Sequence, residues 1–382
     1  MRRVYFDNNA TTPLGPEVLE VMRQCLEKDF GNPSSGHFFG EAARRLVETS
    51  RDQVAEMLGC VPDRVVFTSG GSEANCQAIF SAVMARPQGR HLVASRVEHP
   101  SVLKPLDFLR TQGYELELLP VDGIGQLNPA DLAAAIRPDT VLVSLLAANN
   151  ETGVIWDVAE LGAICRRKGV LFHCDAVQLA GKEEIRVDEW PVDYLSLSAH
   201  KLHGPKGCGA LYLDQAAPVS SLVMGADQEM GRRAGTENVA GIAGFGLACE
   251  LASRHLVAGG RAAMAKLQRR LEEGIARTCP GVRINGAGAL RLTNTVNVSF
   301  EYCSSAQMVQ DLDDRGFAVS AHAACHSGDL DPSPVLTAMA VPETFRHGTL
   351  RISLSRSNNA AEVEALLAVL PIVVGRSRQG FV

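Results

Sequence analysis

Between residues 62 and 215 short β-rich apolar runs recur, with room for a helix between most neighbours. They are RVVFTS (64–69), HLVASRV (91–97), ELELLPV (115–121), TVLVSLLAA (140–148), VLFHCDA (170–176), DYLSLSA (193–199) and GALYLD (209–214). Several are apolar throughout instead of alternating, which is the pattern of a strand buried on both faces. Helix-like stretches such as LGAICRRKG (161–169) separate several of them. Such a succession predicts an α/β domain: a mostly parallel, seven-stranded sheet with helices on both faces. Upstream, GEAARRLVETSRDQVAEMLG (40–59) places Leu46, Val47, Val54, Met57 and Leu58 on one helical face.

The rhythm changes near residue 258. The helix-like RAAMAKLQRRLEEGIART (261–278) is followed by VRINGA, NTVNVSF, FAVSAH and LRISLS, with helices between and after. Fewer strands at wider spacing predict a smaller α+β domain. The expected division is 16–258 for the large domain, and 1–15 with 259–382 for the small one. No internal repeat and no low-complexity segment interrupts either part.

The composition narrows the functional classes. In 382 residues, 37 Lys+Arg stand against 43 Asp+Glu, a net charge of −6, with no basic block and no basic stripe interleaved with aromatics. That argues against nucleic acid or an anionic membrane surface as partner. MRRVYFDNN has no apolar run behind its arginines, and ALLAVLPIVV (365–374) is short and interrupted by Pro371. The expectation is a soluble, unexported, cytoplasmic protein. Ten cysteines without a C-x-x-C pair fit a reduced compartment, where most serve as buried small hydrophobes.

Polar residues gather at the ends of the strand runs, where ligands of open α/β sheets bind. RVVFTS leads into GGSEANCQAI (70–79), a Gly-rich turn opening a helix whose free N–H groups suit a phosphate, although a tight connection would look the same. No G-x-G-x-x-G dinucleotide fingerprint occurs. VLFHCDAVQ (170–178) ends in Asp175 and Gln178, and an acid leaving so apolar a strand is costly to bury without a cationic partner. DYLSLSAHKLHGPKGCGALYL (193–213) delivers Ser198, His200 and Lys201 into a Gly/Pro-rich loop. A lysine for a Schiff base, an acid for a pyridine nitrogen and a phosphate cradle together point to pyridoxal 5'-phosphate. AHAACHSG (321–328) sets Cys325 between His322 and His326, and by itself reads equally as a zinc ligand set, a nucleophile or a small hydrophobe.

These and further stretches resemble the cysteine desulfurases, a class-V-aminotransferase-like branch of fold-type I pyridoxal-phosphate enzymes. The resemblance runs through YFDNNATTP (5–13), GNPSSGH (31–37), FTSGGSEAN (67–75), VEHPSVL (97–103), ANNETGV (148–154), HCDAVQLAGK (173–182), SAHKLHGPKGCGALY (198–212), RRAGTENVAGI (232–242), AACHSG (323–328) and LRISLSRSN (350–358). It implies the fold-type I architecture, the cofactor, and conversion of L-cysteine to L-alanine. By the same resemblance Lys201 forms the Schiff base and shuttles the proton, Asp175 pairs with the pyridinium, and Gln178 bonds the phenolic oxygen. His99 stacks on the ring and can serve in proton transfer. Gly71, Ser72, Ser198 and His200 hold the phosphate, and Thr236 reaches it from the other subunit of a homodimer. Asn150 and Arg351 hold the substrate carboxylate, a task suited to a planar guanidinium. Cys325 takes the sulfur as a persulfide and passes it to an acceptor, such as an iron–sulfur scaffold protein or the machinery of tRNA thiolation.

The chain also departs from the family pattern. His322-Ala323-Ala324 stands where many members have a Gly-Ser pair before Ala-Cys, and His326 where a threonine often follows. GADQEMG (225–231) has Ala226 and Asp227 in place of two glycines, which puts the shape of the partner-subunit loop in question. ACHS with PSPVL also resembles selenocysteine lyases, which would release selenide from L-selenocysteine. A conventional aminotransferase, a sulfur-transfer scaffold without chemistry, and a metal site at His322, Cys325 and His326 are the other readings. No metal is expected, because no further ligand stands near the trio in sequence.

Overall fold

The computed structural model describes residues 3–321 and 333–379. Its strands in chain order are β1 (Val4–Tyr5), β2 (Val65–Thr68), β3 (His91–Ser95), β4 (Glu115–Leu119), β5 (Thr140–Leu146), β6 (Leu171–Asp175), β7 (Tyr194–Ser198), β8 (Gly209–Leu213), β9 (Val282–Ile284), β10 (Thr295–Phe300), β11 (Phe317–Ala318) and β12 (Thr349–Ser353).

Strands β2 to β8 form a seven-stranded sheet in the order β2-β8-β7-β6-β5-β3-β4. Each lies within one of the apolar runs. The pairs from β7 across to β4 are parallel, and β8 runs antiparallel to both its neighbours. That reversal follows from the connection: parallel strands need a crossover of about a dozen residues or more, and only residues 199–208 separate β7 from β8. Every residue of β5, β6, β7 and β8 is buried. At the sheet edge, β4 exposes Glu115 and Glu117. Alternate residues feed two apolar clusters, as the period of two requires. Phe67, Phe172, Leu195 and Tyr212 enter one, and Val66, Leu171, Tyr194 and Leu211 the other.

The second part is smaller. β12, β10 and β9 form an antiparallel sheet, and β1 pairs in parallel with β11. Single bridges, Asp7 to Ser353 and Ser320 to Arg351, tie these two sheets together. Val4, Phe6, Val298, Phe300, Ile352 and Leu366 share a separate apolar cluster here, covered by the helices Gly260–Thr278 and Ala360–Gln379. Val335 and Leu336 of the helix Pro334–Ala338 instead pack into the larger cluster. Among the described residues no helix is long and apolar enough to cross a membrane.

Candidate active site

The carboxyl ends of β5, β6 and β7 open into a cleft of about 250 Å³. Its wall includes Gly71, Ser72, His99, Asn150, Asp175, Gln178, Ser198, His200, Lys201 and Arg351, so ten residues singled out from the sequence share one space. Thr236 is exposed and lies outside this cleft. Cys325, His322 and His326 lie outside the described residues.

One end of the cleft is a helix N-terminus. The helix Gly71–Ala85 follows Gly70, whose φ of 151° favours glycine, and no side chain caps it. The N–H groups of its first turn therefore have no intrahelical partner. Gly71 is required by close approach: a Cβ there would stand 2.7 Å from Val177 Cγ2. The Ser72 and Ser198 side chains line the same cleft.

Asp175 ends β6. Its Oδ1 accepts from the Val177 N–H at 3.1 Å and its Oδ2 from Asn75 Nδ2 at 2.8 Å. Asn75 sits in the helix that opens at Gly71, so one helix presents both the anion-seeking turn and the amide that orients the carboxylate. The neighbouring Glu98 is buried, and Ser95 Oγ donates to its Oε1 at 2.6 Å. Burial, with Asp175 adding to it, pushes this carboxyl up to about 8.

Lys201 follows β7 in the turn Ala199–Lys201. Its Nζ donates to the carbonyls of Asn9 at 2.5 Å and Ala10 at 2.9 Å. His200 Nδ1 lies 3.1 Å from Thr11 Oγ1, and burial, with Lys201 and Lys206 nearby, pushes this imidazole down to about 4, so it is neutral. The segment after β1 thus lies along the lysine turn. Gln178 is held from two sides: its Nε2 donates to Asn9 O at 2.9 Å, and its Oε1 accepts from Lys182 Nζ at 2.9 Å. His99 caps the helix Pro100–Thr111 and accepts from Ser101 N–H through Nδ1 at 3.1 Å. That bond puts the proton of the neutral ring on Nε2.

Arg351, on β12, is 1% exposed. It donates through Nη2 to Asp7 Oδ1 at 2.7 Å and through Nη1 to Asn150 O at 3.3 Å, while its buried Nε has no acceptor. A buried guanidinium that lines the cleft and keeps an N–H without an acceptor is suited to a carboxylate ligand. Sequence reasoning assigned no role to Asn75, Asn9, Ala10, Asp7, Glu98 or Lys182. All six stand inside motifs already quoted, yet only tertiary contact reveals what they do.

Pyridoxal phosphate fits this residue set. An uncapped helix start with two serines suits its phosphate, an oriented buried carboxylate its ring nitrogen, and the Lys201 amine its aldehyde.

The sequence matches the family described as aminotransferase class-V over residues 4–366. It is 47% identical over 380 residues to a cysteine desulfurase of Cereibacter sphaeroides, covering 99% of this chain and 97% of that protein. Among solved structures, a NifS-like protein superposes with a TM-score of 0.91 at 34% identity, covering 98% of this chain and all of the other. A structure described as SspA in complex with cysteine matches with a TM-score of 0.81 at 33% identity, over 92% of this chain and 98% of the other. The relatives are named for cysteine and not for its selenium analogue, so the selenocysteine-lyase reading of AHAACHSG is not favoured. The chain belongs to the class-V aminotransferase family and, within it, to the pyridoxal-phosphate-dependent cysteine desulfurases.

Proposed function

We propose that the cleft desulfurates L-cysteine, and that the residues lining it divide the work as follows. The single observation that carries this is the convergence of the Lys201 amine, the Asp175 carboxylate and the Arg351 guanidinium, from the ends of β7 and β6 and the middle of β12, on one cleft. Gly71, Ser72, Ser198 and His200 would hold the cofactor's phosphate, and Asp175, kept in place by Asn75, its ring nitrogen. Gln178 would bond the phenolic oxygen through the amide that Lys182 orients, and His99 would lie against the ring. Pyridoxal phosphate, when bound, supplies the electron-withdrawing ring that lets an amino acid lose its Cα proton.

Arg351 takes the substrate carboxylate, with Asn150 beside it. Lys201 Nζ holds and moves the Cα proton. Cys325, as thiolate, attacks the substrate sulfur: an S–S bond forms on Cys325, the Cβ–S bond breaks, and the carbon fragment gains a proton and leaves as alanine. Two contacts support this assignment. Ser320 bridges to Arg351 itself, and Ser333 Oγ donates to Glu151 Oε2 at 2.5 Å, next to Asn150. The segment carrying Cys325 therefore begins and ends beside the residues assigned to the carboxylate.

Thr236 would serve the phosphate site of a second subunit, which makes the working form a homodimer. The persulfide would pass to a sulfur-acceptor protein such as an iron–sulfur scaffold, in the cytoplasm, in keeping with the thiols that are free among the described residues. The smaller apolar cluster, drawn only from residues of 1–15 and 259–382, supports a division into a large unit at 16–258 and a small one formed by 1–15 with 259–382, although Leu292, Val335, Leu336, Met339 and Val341 pack with the large unit.

The test is to incubate the cofactor-loaded protein with L-cysteine and follow alanine together with the mass of the Cys325 peptide. One alanine per sulfur transferred, and a peptide heavier by one sulfur, are expected. Cys325→Ser retains the cofactor but gains no sulfur; normal sulfide release by that variant would overturn the nucleophile assignment.

A further inference from the structure

Lys201 also borders a second cavity that none of these roles uses. It encloses about 60 Å³, where one buried water needs about 10–15 Å³. That is room for a small polyatomic ion. Lys182, Arg261 and Arg356 line it with Lys201, beside the uncharged imidazoles of His203 and His255, and no Asp or Glu does among the described residues.

No carboxylate lines the cavity, although Glu17 attracts Arg356 from outside it. Arg261 is paired with Glu183 at 2.7 Å, at a half-exposed position. Lys182 Nζ donates to the Gln178 backbone carbonyl at 2.8 Å and to Oε1 at 2.9 Å, both neutral oxygens. The partly buried guanidinium of Arg356 has no hydrogen-bond acceptor among the described residues. Burial, then Lys201 and Arg351, hold the Lys182 ammonium well below its usual range, and burial, then Arg356, pushes His203 and His255 down. The helix Gly260–Thr278 begins in the same wall, and its N-cap Gly259 offers no side-chain acceptor to the first-turn N–H groups. A concave cationic wall with an open helix start calls for an anion. Leu202 and Ala252 of the larger apolar cluster face Met264 and Leu354 of the smaller one across it.

We propose that this cavity binds a small tetrahedral oxyanion, phosphate or sulfate, through Arg356, Arg261 and the first-turn N–H groups of the helix Gly260–Thr278. The bound ion clasps the two parts of the chain behind the catalytic lysine.

The probe is inorganic phosphate, titrated calorimetrically into cofactor-saturated protein so that the cofactor's own phosphate site is filled. Sodium chloride at matched ionic strength is the reference. One phosphate per chain should bind, and Tm should rise with phosphate concentration. Arg356→Gln should weaken binding about tenfold or more, Arg356→Lys less, and Arg261→Gln measurably, while alanine formation at low phosphate is retained in Arg356→Gln. No saturable heat at millimolar phosphate, an equal effect of chloride, or unchanged affinity in the arginine variants overturns the site. If Arg356→Gln does not fold, Arg356→Lys and Arg261→Gln decide it. Phosphate binding is read without turnover, so failure of the desulfuration reading would leave this result intact.

Discussion

The side-chain amide of Asn75 donates to Asp175 Oδ2 at 2.8 Å, joining the first turns of a helix to the end of a strand 100 residues later. Asp175 is 6% exposed and also accepts from the Val177 N–H. Hydrogen bonds to charged groups contribute about 1.5–3 kcal/mol. Asn75→Ala should therefore weaken the hold on the cofactor ring by about tenfold to a hundredfold, read by absorbance titration of the apoprotein. Asn75→Asp should be worse, because a second carboxylate would face the first.

Glu98 gives a pH dependence with a definite sign. Its carboxyl sits near 8 in the folded chain against an ordinary 4.5, so between those values the folded state binds more protons than the unfolded one. The stability contribution is complete below about 4.5 and is lost as pH rises through 8. Glu98→Gln does not titrate. Melting curves should show the variant gaining on the natural protein between about pH 5 and pH 9; parallel curves would mean that Glu98 is not protonated when folded.

Arg51 and Glu229 are 4% and 3% exposed and meet through two bonds of 2.7 and 2.8 Å, while Glu229 Oε2 also accepts from the Phe67 N–H at 2.8 Å. Glu229 and Met230 have φ values of 49° and 59°, a conformation unfavourable for residues with a side chain. The buried pair holds that strained turn against β2. Glu229→Gln leaves the buried guanidinium only the exposed Glu48, at 3.2 Å, as a charged partner and should cost up to about 3–5 kcal/mol in urea unfolding. The paired change Arg51→Met with Glu229→Leu should cost less than Glu229→Gln alone.

Arg351→Lys retains the charge and loses the fork. Asp7 keeps a cationic partner, so folding should survive. The substrate carboxylate loses one donor, and kcat/KM for L-cysteine should fall about tenfold to a hundredfold, mostly through KM in initial-rate measurements. An unchanged KM would place the carboxylate elsewhere.

The large sheet was legible because fully buried strands are mostly apolar, as β5 to β8 are, and the few polar residues inside them bond one another, His173 to Ser144 and Ser196. The direction of β8 was less visible, since it depends on the length of a connection and not on any strand residue. Lys201 and Asp175 were legible because a charge next to an apolar strand end stands out, whereas Arg351, in the middle of β12, was reached only through the family resemblance. Their supporting partners did not stand out. Asn9 and Ala10 act through backbone carbonyls, which carry no residue signature. Lys182 looks like a surface lysine until Gln178 is seen against it. The loop at GADQEMG departs from the family's glycines, yet the strained residues are Glu229 and Met230, which follow the two substituted positions.

The pairing of β1 with β11 has a consequence for how the enzyme is made. Val4 aligns with Phe317, so the first strand to leave the ribosome waits for a partner synthesised some three hundred residues later, a closure of high contact order. The carbonyls that hold Lys201 belong to the segment just after that strand. The seven-stranded sheet is encoded by residues 65–213 and is complete in sequence well before that closure. Asn9 also bonds Thr295 and Ser353, so the setting of the lysine is completed only by residues near the other end of the sequence.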